Sequence, residues 1–186
     1  CKYIDIPLQH SDKSVLKSMN RIGDGDDYKK LLTKMRDKIP GLALRTTFMV
    51  GFPGETDEQF ENLCSFVKDI KFDKMGCFTF SPEEDTPAFD MDNQIDDEVK
   101  NRRQEVLMDI QYTITEQSNK GRVGNKYKVI IDSFDGEKYI GRSYMDSPEI
   151  DSGIIFTSDK PLNIGEFCNV LITDFDGYDL IGECVE

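Results

Sequence analysis

The sequence predicts an α/β fold that is followed by an all-β fold. Apolar runs of strand length alternate with helical patterns up to about residue 120. Such an alternation is typical of a parallel sheet with right-handed crossovers, either open or barrel-like. After that point, short strand-like runs follow one another with turn residues between them, which favours a small antiparallel barrel of the OB-like kind. We therefore expect two domains, residues 1–119 and 120–186.

The first domain contains three candidate strands, each an apolar run of strand length. They are Lys2–Leu8, Ala43–Val50 and Lys74–Phe80. Helical patterns separate these runs along the chain. Since parallel neighbours need such crossovers, we expect the strands to lie side by side in one parallel sheet.

Helical spacing of apolar residues marks four further segments. They are Asp12–Arg21, Asp26–Lys38, Thr56–Ile70 and Asp96–Lys120. The third has the clearest start, because Thr56 and Gln59 have the spacing of a capping box. For the fourth we expect a buried side that consists of Val99, Val106, Leu107, Ile110 and Ile114.

The second domain contains five short strand-like runs. They are Lys126–Phe134, Lys138–Ser143, Gly153–Thr157, Phe167–Phe175 and Leu180–Val185. Asp135-Gly136 and Asp176-Gly177 are typical of tight hairpin turns. Gly121 and Gly124 favour an end of the long helix at this point, which places the domain boundary near residues 119–124.

The charge of the chain bears on its partners. The 23 Lys and Arg against 36 Asp and Glu give a net charge of −13. Residues 1–119 hold 16 basic and 23 acidic side chains, and residues 120–186 hold 7 and 13, which gives −7 and −6. Binding to nucleic-acid phosphates relies on clustered Lys and Arg, so we expect no nucleic-acid partner and favour a basic one. No apolar run is long enough for a membrane span, and we expect no membrane partner.

The cysteines are scattered along the chain, at Cys1, Cys64, Cys77, Cys168 and Cys184. No pair has the C-x-x-C spacing of a metal site, so we expect thiols without a ligand role. An odd number without a secretory signal favours the reducing cytoplasm. The chain opens without Met, inside an apolar run, and we expect it to be a piece of a longer protein.

Unusual residues follow each predicted strand of the first domain. Gln9 and His10 come after the first strand, residues 51–55 (Gly-Phe-Pro-Gly-Glu) after the second, and Ser81 after the third. The carboxyl ends of parallel strands meet at one edge of the sheet, where ligands bind in such folds. The sequence therefore predicts a ligand site at this edge.

Two interpretations stay open for several of these residues. His10, the single histidine, is either structural or a polar contact for a ligand. Gly51 and Gly54 either form a tight turn or let a flat ligand lie against bare backbone. Arg45 shares one face of its strand with Thr47, and a charged Arg in a strand needs an anionic partner, which is a structural Asp or a ligand carboxylate.

Several stretches together resemble the methylthiotransferases of the radical SAM superfamily over essentially the whole chain. They are "YIDIPLQH", "LRTTFMVGFPGETDEQFENL", "FDKMGCFTFSPEEDTPA" and "GRSYMDSPEID". The last of these, with "GYDLIGE", resembles the RimO branch, whose substrate is an aspartate of ribosomal protein S-twelve. The resemblance implies the last three strands of a partial (β/α) barrel, followed by a TRAM domain.

The resemblance also implies a chemistry. A 4Fe-4S cluster, reduced by an electron donor, cleaves S-adenosylmethionine to a radical that takes hydrogen from the aspartate β-carbon. A methylthio group assembled at a second 4Fe-4S cluster is then transferred. The C-x-x-x-C-x-x-C loop of the family is absent here. The resemblance therefore implies that both clusters are ligated outside this chain, which alone should be inactive and hold no catalytic or metal-binding residue.

Site residues follow from the same resemblance. The expected neighbours of S-adenosylmethionine are Gln9, His10, Arg45, Thr47, Gly51, Phe52 and Ser81. Arg45 would suit the methionine carboxylate. The acidic residues expected to contact the basic ribosomal protein through the TRAM domain are Asp146, Glu149 and Asp151. The role of Glu55 stays open, since it follows Gly51 by four positions rather than the three of the superfamily.

Two alternative functions remain. The first is that of a tRNA adenosine methylthiotransferase of the MiaB type, and the second is that of a non-catalytic binding module.

Overall fold

The computed structural model describes all residues, 1–186, and consists of two compact units. The first, which we call the α/β unit, is Ile4–Gln111. The second, which we call the barrel unit, comprises Cys1–Tyr3 and Tyr112–Glu186. The division falls inside the long helix, earlier than the boundary expected from the two glycines.

Seven elements make up the first part of the chain. They are β1 (Tyr3–Asp5), α1 (Lys13–Ser18), α2 (Gly25–Lys38), β2 (Ala43–Val50), α3 (Asp57–Ile70), β3 (Lys74–Thr79) and α4 (Asp97–Arg122). The sheet has the order β1-β2-β3, and β2 pairs with β3 in parallel. A parallel bridge between Gln9 and Phe48 extends the pairing beyond β1. The predicted parallel sheet is confirmed.

The two faces of β2 differ in burial. Thr46, Phe48 and Val50 are buried, whereas Arg45, Thr47 and Met49 between them are partly exposed. Phe48 makes edge contacts with the rings of Phe66 and Phe72, at 6.3 and 5.8 Å between centroids. One face of the strand thus packs into the core, and the other carries the residues predicted to bind a ligand.

Helix α4 buries a face that differs from the predicted one. Leu107 and Ile114 are buried as expected, but Val99 and Val106 are each 38% exposed. Polar residues at helical spacing take the buried positions instead: Lys100, Arg103, Gln111, Thr115 and Asn119. The prediction was wrong at the two valines because it assumed an apolar contact face, whereas this face is held by hydrogen bonds.

The barrel unit contains five strands in a closed barrel. They are β4 (Lys126–Phe134), β5 (Tyr139–Arg142), β6 (Ile154–Thr157), β7 (Phe167–Asp176) and β8 (Asp179–Val185), in the order β4-β5-β6-β8-β7. All neighbouring pairs are antiparallel except β6 and β8, which are parallel. The barrel is thus antiparallel as predicted except at this pair, because strand directions cannot alternate all the way around a ring of five.

The interior of the barrel is one apolar cluster. Its buried members are Val129, Ile131, Tyr139, Ile154, Phe156, Val170, Ile172 and Leu180. They alternate along each strand with outward-facing residues, as the period of a half-buried strand requires. No helix of the protein combines the length and the apolar character that a membrane span demands.

Candidate binding site at the strand ends

A cavity of about 520 Å³ lies in the α/β unit, where the three strands end. Gln9 follows β1, Phe52 follows β2, and Phe80 and Ser81 follow β3, and all four line the cavity. The structure thus brings together three of the predicted site residues, Gln9, Phe52 and Ser81.

The cavity wall is mainly apolar. Phe52 and Phe80 meet edge to face with 5.1 Å between ring centroids. Thioether and small apolar side chains complete this wall: Met19, Met49, Ala88 and Met91. An apolar wall with a few convergent polar groups, here Gln9 and Ser81 among them, is typical of a site for a small molecule that is partly flat and partly polar.

Gln9 has an unusual backbone conformation, with φ at +69°. Its N–H donates to the carbonyl of Thr47 at 2.9 Å, and its carbonyl accepts from the N–H of Met49 at 2.8 Å. Residues other than glycine adopt this region rarely, and such residues concentrate at functional sites. The two backbone hydrogen bonds to β2 hold Gln9 in this conformation beyond the end of β1.

Arg45 and Thr47 lie on the same strand face as Met49 but do not line the cavity. Arg45 Nη1 donates to Asp5 Oδ2 at 2.8 Å and lies 3.5 Å from Thr47 Oγ1. Gly76 of β3 stands opposite Thr47. Of the two partners predicted for Arg45, the structure contains the structural carboxylate.

His10 is fully buried and is not part of the cavity lining. Its Nε2 lies 3.4 Å from Glu55 Oε1, and its Nδ1 accepts the N–H of Asp12 at 2.9 Å. Both ring nitrogens are occupied by protein groups. Of the two interpretations of His10, this arrangement favours a structural role.

The bare backbone of Gly51 faces a lysine side chain. Gly51 has φ at +75°, and a Cβ built on it would overlap Cγ of Lys100 and lie 3.1 Å from its Cβ and Cδ. Gly54 has φ at +83° with open space around it, so its backbone conformation alone explains the glycine. In the structure, the space beside the missing Cβ of Gly51 is therefore taken by the side chain of Lys100.

The three acidic residues predicted to bind substrate lie in one loop of the barrel unit. Asp146 accepts hydrogen bonds from the N–H and Oγ of Ser143, at 3.0 and 2.7 Å. Asp151 accepts from Tyr3 Oη at 2.9 Å and from the Ser147 N–H at 2.8 Å. Glu149 is exposed. Two of the three carboxylates therefore shape their own loop.

The thiols of the α/β unit are buried. Burial raises the pKa of Cys64, and it raises the pKa of Cys77 to about 12. Both side chains are therefore neutral near pH 7. No three His, Cys, Asp or Glu side chains in the protein lie close enough together to hold a metal ion.

Sequence reasoning missed several residues around the site. Met19, Met49 and Met91 line the cavity, and Lys100 and Arg103 are buried beside the turn after β2. Met49 carried a usable signal, because it shares a strand face with Arg45 and Thr47. The burial of Lys100 and Arg103 could not be predicted from the sequence, since charged residues on a helix are normally solvated.

Both ends of the chain match known families. Residues 1–67 match the Radical SAM superfamily, and residues 123–185 match the TRAM domain. A protein of Caldanaerobacter subterraneus subsp. tengcongensis, "Ribosomal protein uS12 methylthiotransferase RimO", is 50% identical over 182 residues, which cover 98% of this chain and 42% of that protein. One of the same name from Cytophaga hutchinsonii is 44% identical over 187 residues, covering 100% of this chain and 43% of that protein. Over nearly its whole length, the chain is similar to part of the RimO methylthiotransferases.

The resemblance predicted from the sequence is thereby confirmed. The chain spans about two fifths of the length of the curated relatives it matches. Among solved structures, coproporphyrinogen III oxidase (HemN) of Escherichia coli, a radical SAM enzyme, is similar with a TM-score of 0.48 and 18% identity. That match covers 63% of this chain and 27% of the other.

Proposed function

We propose that this chain is part of a radical SAM methylthiotransferase that adds a methylthio group to the β-carbon of an aspartate in ribosomal protein uS12. The observation that carries the proposal is the 50% identity to RimO proteins over 98% of the chain. The proposal concerns the whole enzyme, because the chain covers 42% of that relative. The enzyme would act in the cytoplasm, which the five free cysteines support.

The cavity at the strand ends fits S-adenosylmethionine. Its volume of about 520 Å³ is within the usual range of small-molecule sites. The aromatic and thioether wall suits the flat adenine, and Gln9 and Ser81 offer hydrogen bonds to its polar groups. Phe52 would contribute to the wall, and Gly51 next to it would fix the turn.

S-Adenosylmethionine would supply the radical chemistry when it is bound to a reduced 4Fe-4S cluster. The residues of this chain would bind the adenosyl part, orient it and keep water from it. Both 4Fe-4S clusters would be ligated outside residues 1–186, and an external electron donor would reduce them. The scattered cysteines of the chain support this assignment.

Arg45 and Thr47 would contact the methionine part of the cofactor. They continue the strand face of Met49, which lines the cavity. A guanidinium has five donors in a fork that matches a carboxylate. Arg45 would therefore bind the methionine carboxylate in addition to Asp5.

Substitution of Arg45 tests this assignment. In the full-length enzyme, Arg45→Ala should weaken equilibrium binding of S-adenosylmethionine by about tenfold, as expected for a lost charge-assisted hydrogen bond. Arg102→Ala is the matched control, since Arg102 is exposed on α4 and outside the cavity. An unchanged affinity in the Arg45 variant would refute the role.

The barrel unit would bind uS12. Its charge supports a basic partner, since residues 120–186 carry 7 basic and 13 acidic side chains. Its closed strand order supports the OB-like assignment, a fold that often serves as a binding platform. Glu149 would make the main contact, and Asp146 and Asp151 would shape the loop that presents it.

Charge reversal in this loop tests the contact. Glu149→Lys in the full-length enzyme should weaken binding to purified uS12 several-fold, and the loss should shrink at high salt. Asp159→Lys makes the same charge change at another exposed site of the barrel unit and should bind normally. Equal losses in both variants would show that net charge alone matters, and preferential binding to tRNA would favour the MiaB alternative.

A further inference from the structure

A buried cluster of charged and polar groups lies behind the cavity without lining it. The carboxylate of Glu55 is at its centre, and its side chain, like that of His10, is 0% exposed. Glu55 Oε1 is 3.4 Å from His10 Nε2, and Oε2 is 3.3 Å from Arg103 Nη1. Oε2 also accepts the backbone N–H of Gly51. We call Glu55, His10 and Arg103 the clamp.

The hydrogen bonds of His10 fix the direction of its ring. Nδ1 accepts the Asp12 N–H at 2.9 Å, so it carries no proton. The proton of the neutral ring is then on Nε2, which donates to Glu55. His10 therefore links the start of α1 to the centre of the clamp.

The clamp connects three segments of the α/β unit. His10 follows β1, Gly51 follows β2, and Arg103 belongs to α4. Arg103 Nη1 also donates to the carbonyl of Glu55 at 3.1 Å, and its Nη2 donates to Asp57 Oδ1 at 2.7 Å. The ends of two neighbouring strands are thus bound to the same carboxylate.

The residues next to the clamp line the cavity. Gln9 precedes His10 and holds an unfavourable backbone conformation, with φ at +69°. Phe52 follows Gly51 and forms part of the apolar wall. A residue in such a conformation persists only where its surroundings hold it in place.

All three partners of the Glu55 carboxylate are donors. A buried carboxylate needs such partners, because an unpaired charge in the interior is unfavourable. An amide at this position has a single acceptor oxygen, and its NH₂ group cannot accept from the remaining donors. Glu55→Gln therefore opens the clamp with little change of side-chain volume.

We propose that Glu55 is a positioning residue that holds Gln9 and Phe52 in their binding conformation through His10 and Gly51. Glu55 and His10 touch no ligand themselves, and this role replaces the predicted contact between His10 and the cofactor. The identity of the ligand as S-adenosylmethionine rests on the proposed function. The proposal that the clamp orders the ends of the strands is independent of the proposed function.

The test compares Glu55→Gln with a variant that is merely destabilised. Leu63→Ala removes a fully buried side chain of α3 that does not line the cavity. In the full-length enzyme, Glu55→Gln should raise amide hydrogen exchange at Gln9, Asp12 and Gly51 at least tenfold. It should also weaken S-adenosylmethionine binding about tenfold. Leu63→Ala, at a temperature where it is fully folded, should change neither.

A second pair of variants separates the role of His10 from its size. His10→Gln keeps a donor and an acceptor and should retain most of the binding and protection, whereas His10→Leu should lose both. Equal behaviour of the two variants would overturn the assignment of His10.

Each outcome for Glu55 decides the proposal. Unchanged exchange at Gly51 and Gln9 in Glu55→Gln would show that the clamp does not order the strand ends. Raised exchange with unchanged affinity would overturn the positioning role, as would an equal loss of affinity in Leu63→Ala. If the wild-type enzyme binds no S-adenosylmethionine, the proposed function fails, and the exchange rates still decide whether the clamp exists.

Discussion

The two units of the molecule bury different kinds of side chain. The α/β unit buries four residues with basic or acidic side chains: His10, Glu55, Lys100 and Arg103. The barrel unit buries no charged residue, and its core cluster is apolar apart from the hydroxyl of Tyr139. That hydroxyl accepts the N–H of Leu162 at 3.0 Å.

The two kinds of core constrain the positions of their residues to different degrees. An apolar core stabilises a unit without regard to direction. Buried charges stabilise only when every partner is in place, because their desolvation must be offset by well-aligned contacts. Buried contacts that depend on direction therefore concentrate around the strand ends of the α/β unit, whereas the core of the barrel is mainly apolar.

Loss of the buried ion pair between Arg103 and Glu55 should destabilise the protein more than loss of a partly exposed ion pair on the barrel. Arg103→Met should lower the free energy of unfolding by about 3–5 kcal/mol, because it leaves the buried Glu55 without its cation. Arg142 pairs with Asp132 on the barrel through two bonds at 2.6 and 2.8 Å, but both side chains are partly exposed. Arg142→Met should therefore cost about 1 kcal/mol or less. Denaturant unfolding measures both, and equal losses would contradict the comparison.

A smaller loss of stability is expected when a side chain is added at Gly182 in the barrel. A Cβ on Gly182 would lie 2.5 Å from the carbonyl oxygen of Leu171 and 2.6 Å from Val170 Cγ1. Because backbone cannot move aside as a flexible side chain does, Gly182→Ala should cost roughly 2–3 kcal/mol and lower Tm in thermal unfolding.

Gly121→Ala is the control for this change. Gly121 lies in α4 with no neighbour near its Cβ position, so alanine there should leave Tm unchanged or raise it slightly. A similar drop in Tm for both variants would show that space at Gly182 is not the cause.

Alkaline pH should weaken the two units over different ranges. Burial raises the pKa of Cys77 to about 12, and burial together with Cys184 raises that of Cys168 to about 11. The unfolded thiols ionise near pH 9, so the contribution of each neutral thiol to stability is present below that pH and is lost as pH rises to its folded pKa. Relative to wild type, Cys77→Ala should reduce the loss of stability between pH 9 and 12, and Cys168→Ala between pH 9 and 11.

Denaturant unfolding at several pH values measures this dependence. Replacement of the exposed Cys1 by Ala is the control and should leave the profile of wild type. A profile that none of the replacements changes would contradict the assigned shifts.

The smallest loss of stability is expected from a change at the N-terminus of α3. Thr56 and Gln59 form a capping box at α3, so Thr56→Ala should cost about 1 kcal/mol. Thr56→Ser keeps the hydroxyl and should cost less. Denaturant unfolding at pH 7 measures the difference, and equal losses would assign the effect to the methyl group.

The secondary-structure elements and the resemblance to a known family could be predicted from the sequence alone. Strands β2 and β4 have the predicted bounds and α3 has the predicted capping box, because residue periodicity and capping act over a few neighbouring positions. The resemblance to the methylthiotransferases followed from contiguous motifs. The meeting of Gln9, Phe52 and Ser81 followed from the rule that parallel strands end at one edge.

The partners of these residues could not be predicted from the sequence and are known only from the fold. It buried the polar side of α4, paired β6 with β8 in parallel, and filled the space over Gly51 with Lys100. It also enclosed His10 with Glu55, a residue 45 positions away. Local sequence patterns do not predict such contacts, because the free energy of a buried polar group depends on partners that the chain supplies from distant positions.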